Sequence, residues 1–146
     1  MSIRERIVPS VPFSISWEDE TGKNEVSFRV AFDLNAFTDF EEVTGLNALT
    51  DMGPVWDSPN IGTVTALLWA AIQLNHPEYV GTAGLRALRR LLTVADCKAA
   101  FKACIEAFIS QLPPEKAAEI RKRQKDIAEG KEVAPLAQGP TPNPTV

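Results

Sequence analysis

The 146-residue chain has the length of one domain, and with 45% apolar, 23% charged and 8% aromatic residues it can build a core. A single histidine and two cysteines exclude a histidine metal cage, a disulfide framework and a four-cysteine zinc site. The net charge of −4 conceals a division: residues 1–82 carry 4 basic and 12 acidic residues, whereas residues 83–146 carry 11 and 7.

The chain opens on MSIRERIVPS, which has charge but lacks the apolar stretch of a secretory signal. No later apolar run reaches the about 18 residues of a membrane helix, so a soluble cytoplasmic protein is expected. Val11, Phe13, Ile15 and Trp17 alternate with small or polar residues, and so do Val26, Phe28, Val30 and Phe32. That period predicts two antiparallel strands around a turn at 18–24, with one apolar face that helices must cover. Asn35 is the predicted N-cap of a short helix, Leu34 the start of a hydrophobic staple, and Gly45 the stop. Phe37, Phe40 and Val43 share its inner stripe.

Residues 45–59 form a long connection carrying Leu46, Leu49, Met52 and Trp56, too apolar for a solvated linker. Part of it is expected to form a turn of helix and pack down. Apolar residues fill nearly every position of the second helix, about 60–75, so it is expected at the centre of the core with Trp69 inside, ending at His76-Pro77. Thr82 is the predicted cap of a third helix through Leu92, with Leu85 and Leu88 inward and Arg86, Arg89 and Arg90 outward. A fourth spans about 94–111, with Cys97, Phe101, Cys104, Ile105 and Phe108 inward. Pro113-Pro114 breaks the chain before a last, highly charged helix, 115–129. These elements make an α+β fold: an N-terminal antiparallel β-hairpin packed on a bundle of about four to five helices. They divide into a globular unit over 1–112, a charged helix over 113–129 and a disordered tail over 130–146.

Catalytic constellations are not visible. Cys97 and Cys104 stand seven apart on one helix face, about 10 Å, too far for a disulfide, and both sit among apolar residues as core cysteines do. His76 falls in an inter-helix turn without a nucleophile beside it, and Gly81-Thr82-Ala83-Gly84 lacks the lysine of a phosphate loop. No enzyme activity, metal or cofactor is expected. Arg86 and Arg90 form an i,i+4 like-charge pair beside Arg89, which calls for an acidic neighbour. The neighbour is either the Asp39/Glu41/Glu42 helix of the same chain or an acidic patch on a partner or second copy. With a pI near 5.0 nucleic acid is disfavoured as that partner. The last helix is either a solvated helix that frays or an arm that docks elsewhere. Trp56, with Leu46, Leu49 and Met52, either caps the core or offers apolar surface to a partner.

The run Phe32-Asp33-Leu34-Asn35-Ala36-Phe37 and the following Glu41-Glu42-Val43-Thr44-Gly45 carry a family resemblance. So do Leu67-Leu68-Trp69-Ala70-Ala71 and the turn His76-Pro77-Glu78. Together they resemble tail assembly chaperones of long-tailed bacteriophages and the related small proteins of gene-transfer-agent tail clusters, over about residues 11–92. The resemblance implies a non-enzymatic protein of the host cytoplasm that binds the long tape measure protein and keeps its apolar helices soluble. It also implies help in recruiting tail tube subunits and absence from the mature particle. It assigns no functional residue, so Asp39, Glu41, Glu42, Trp56, Arg86, Arg89 and Arg90 are contact candidates on chemistry alone. A structural protein of the tail or head–tail junction, retained in the particle, is the alternative. Homo-oligomerisation is compatible with either.

Overall fold

The computed structural model describes residues 4–130. Strands β1 (Val11–Asp19) and β2 (Gly22–Val30) pair antiparallel, with Phe13 opposite Phe28 and Asp19 opposite Gly22. The turn is therefore Glu20-Thr21 alone, tighter than the predicted 18–24. Gly22 supplies the positive φ of 113° that so short a turn requires. Asp19 fixes the turn by accepting the Thr21 hydroxyl and, at 2.8 Å, the Thr21 backbone N–H, and the hydroxyl bond first, then the backbone one, holds its carboxyl below the ordinary value. Phe13, Ile15, Phe28 and Val30 are buried, while Ser14 and Ser27 pair on the solvent face.

Six α-helices follow among the described residues, α1 (Leu34–Thr44), α2 (Met52–Asp57), α3 (Ile61–Ile72), α4 (Gly81–Leu91), α5 (Val94–Ile109) and α6 (Pro114–Ala128), and of these α3 and α5 pack on the strands. The hairpin-on-bundle architecture is the predicted one, with the short α2 formed inside the long connection. Helix α3 is central: Val64 to Ile72 are all buried, and it packs against α1, α4, α5 and β2. Asn60 starts it by accepting the Thr63 N–H at 2.8 Å. Trp69 lies inside the core as predicted, and its Nε1 donates to the carbonyls of Tyr79 and Gly81 at 2.8 and 3.0 Å.

The hairpin base is tied to the end of α3. The Ala31 N–H donates to the Ala71 carbonyl at 2.9 Å, and the Arg29 N–H donates to His76 Nε2, also at 2.9 Å. His76 is thus a half-buried dock for β2, stacked edge-on against Phe28 at 5.4 Å, and not a surface turn residue. Helix α5 begins with a capping box, in which Thr93 and Asp96 satisfy each other's backbone N–H. It buries Cys97 and Cys104 as predicted, but its covered face is wider and includes Ala100, Ala103, Ala107 and Ile109. Small alanines let α5 approach both the hairpin and α3.

Helix α6 is docked on the body. Ala117 is buried, Ile120 packs against the core, and Arg123 forms a two-pronged ion pair with Asp57 at 2.8 and 3.0 Å. That bond raises the Arg123 pKa further. Gln124 Nε2 donates to the Trp56 carbonyl at 3.3 Å, and Arg121 meets Glu106 at 3.4 Å. The predicted disordered tail, 130–146, lies outside the described residues except for Gly130.

Candidate interaction surfaces

The acidic residues of α1 do not meet the arginines of α4. Helix α1 starts two residues earlier than predicted, because Asp33 and not Asn35 is its cap: Asp33 Oδ1 accepts the Ala36 N–H at 2.8 Å. Gly45 ends it, as predicted, with φ 74°. Glu41 turns back to accept the Ala48 N–H at 2.9 Å, which leaves Glu42 exposed and Asp39 half-buried. Desolvation, with the charges of Glu42 and Asp33 behind it, raises the Asp39 pKa. Among the described residues no ion pair joins this helix to Arg86, Arg89 or Arg90.

The three arginines have different fates. Arg89 folds back onto α3, donating from Nε to Thr65 Oγ1 at 2.8 Å and from NH2 to the Gly62 carbonyl at 3.1 Å. Its guanidinium anchors α4 to α3, while the residue stays on the exposed side of α4 as predicted. Arg86 and Arg90 remain exposed and rim a shallow trough of about 380 Å³ floored by Thr82, Ala83 and Ala87. Among the described residues neither guanidinium has an ion pair.

The loop surface built on Trp56 is folded away. Met52, Val55 and Trp56 are buried, and Trp56 lies 4.9 Å from Phe108 and 5.9 Å from Phe101, ring centre to ring centre. Leu46 packs against the core, and Leu49 alone of this group faces solvent. Trp56 is consequently a core residue in this conformation.

Open apolar surface lies elsewhere. A groove of about 1010 Å³ runs between the N-terminal arm, the start of α1 and the end of α3. Its lining includes Ile7, Phe32, Leu34, Phe37 and Leu74, and of these Ile7 is 94% exposed, Leu34 81% and Leu74 54%. Capping by Asp33 places Leu34 in the first helical position, facing outward, so the predicted staple does not form. The arm is pinned beside the groove by Arg29, whose NH1 donates to Ser10 Oγ at 2.9 Å. Gln111 closes one wall by donating to the Phe32 carbonyl at 2.6 Å. None of the three exposed residues belongs to a strong periodic pattern. The available signal was a large apolar side chain beside polar neighbours at an element end, as in Arg6-Ile7 and Leu74-Asn75.

Both cysteines are unreactive by environment. Burial pushes the Cys104 thiol far up, and burial with the Asp96 charge raises Cys97. Among the described residues no cluster of three or more His, Cys, Asp or Glu side chains is placed to hold a metal, and no helix is long and apolar enough to cross a membrane. Comparison with family models, with curated proteins and with solved structures finds no match to this chain.

Proposed function

We propose that this protein is a phage tail assembly chaperone that binds the tape measure protein and keeps it soluble in the host cytoplasm until the tail is built. The observation that carries this reading is the groove with Ile7, Leu34 and Leu74 uncovered beside Phe32 and Phe37. Exposed apolar side chains gathered on one groove with a polar rim favour a binding surface, and an amphipathic helix docks in such a groove through side chains spaced i, i+3 and i+4. The resemblance of the 32–45 and 67–78 runs to tail assembly chaperones supplies the identity of the helix. Tape measure proteins are long and apolar, and need such cover before the tube closes round them.

Co-expression tests the reading. The tape measure protein encoded beside this chain is expected to be soluble and to copurify with it, and to aggregate when expressed alone. A tape measure protein that is equally insoluble with and without this chain overturns it. Purified particles separate the alternative: a tail or head–tail structural component stays in the virion, whereas the chaperone is missing from it.

A further inference from the structure

We propose that the free end of the β-hairpin of one copy docks on the Arg86–Arg90 face of α4 in a second copy. This inference is independent of the tape measure reading, since it uses neither the groove nor its occupant. The hairpin is longer than the body that supports it. None of residues 16–25 is buried, although Phe13, Ile15 and Phe28 nearer the base are. Trp17 continues the covered face beyond the helices and is 39% exposed. A two-stranded ribbon is marginal in water without cover, and this one overhangs as a bare end.

The overhang is acidic. Glu18, Asp19, Glu20 and Glu25 outnumber Lys23, and all of them are exposed. The base of the hairpin is held on α3 through Ala31 and His76, so the end projects away in one fixed direction. On α4 the trough between Arg86 and Arg90 offers the complement. Its floor is small, from Ala83 and Ala87, and its two guanidiniums lie one turn apart, about 6 Å along the axis. The two strands of a hairpin are about 4.8 Å apart and the register puts Glu18 and Glu25 on the same solvent face, so carboxylates from both strands can reach both arginines. Helix α4 packs on α3 and on the 77–79 turn, which leaves this outer face open. Both halves of the contact are on one chain, so docking joins copies reciprocally into a dimer or head to tail into a larger ring.

Sedimentation of the full chain, over a concentration series at about 50 mM and about 500 mM salt, tests this directly. Self-association is expected at low salt, weakened about tenfold or more at high salt. Two exposed double variants, Arg86→Glu with Arg90→Glu and Glu18→Lys with Glu20→Lys, are each expected to be monomeric, with unchanged circular dichroism and melting. Mixed in equal amounts they are expected to associate, because the reversed end of one now faces the reversed helix of the other. A wild-type chain that stays monomeric throughout overturns the proposal. So does association indifferent to salt and to either reversal, or a mixture that remains monomeric.

Discussion

Asp39 sits at a place where charge is costly. It is half-buried one turn before Glu42 and close to Asp33, and both neighbours are acidic. Its folded pKa lies above the unfolded one, so the ionised form opposes folding and stability falls as pH rises through the carboxylate range. Asp39→Asn is therefore expected to stabilise the protein at neutral pH by a few tenths of a kcal/mol, about the value of one like-charge helical pair. The gain should vanish below the carboxylate range, which chemical denaturation at the two pH values measures. Cys104 gives a sharper test. It is fully buried with its thiol pushed far up, and Cys97 is nearly as covered. Ellman's reagent at neutral pH is expected to label neither in the native protein and both in denaturant; rapid native labelling would contradict this burial. The cysteine assignment was legible because both residues fell in an apolar helical stripe. The roles of Arg89 and His76 were not, because their partners, Gly62 and Thr65 for one and Arg29 for the other, are 24 to 47 residues away.

At the scale of elements, periodicity located every strand and every long helix, while boundaries followed local chemistry that period alone does not carry. The hairpin turn shrank to two residues because Asp19 and Gly22 complete it, and α1 began early because Asp33 outcompeted Asn35 as the cap. Helix α2 was only partly visible: six residues with Gly53 and Pro54 give too little pattern, and burial of Trp56 against α5 holds them helical. The junction before α4 depends on a contact invisible in any pattern. A side chain at Gly84 would meet the backbone of Tyr79, with its carbonyl oxygen only 1.9 Å from the added carbon. That carbonyl is one of the two bonded to Trp69, so the turn cannot retreat without breaking a core hydrogen bond. Gly84→Ala is expected to cost about 3 kcal/mol and to lower Tm by about 10 °C, despite the better helix propensity of alanine. An unchanged Tm would show that the turn and α4 are not in register as described.

Over the whole molecule, the acidic front and basic back halves do not neutralise each other as two apposed faces. Arg123 takes Asp57 and Arg121 takes Glu106, which explains how a helix as polar as α6 stays docked. Arg86, Arg90 and the hairpin end keep their charge on the outside. The candidate contact residues were chosen from charge and from one loop tryptophan. Folding sorted them into an anchor, Arg89, a core residue, Trp56, two half-buried carboxylates, Asp39 and Glu41, and three exposed residues, Glu42, Arg86 and Arg90. The groove itself was illegible in the sequence because Ile7, Leu34 and Leu74 come from three separated segments, and only the tertiary fold brings them to one cleft. The variant that tests it most directly is Leu34→Ser with Leu74→Ser, titrated against the tape measure protein and compared with the wild-type chain. Both residues are largely in water, so Tm should hardly move. The affinity is expected to fall about tenfold or more, a loss of about 1.4 kcal/mol or greater. Wild-type affinity in a folded variant would contradict the groove as the chaperone surface.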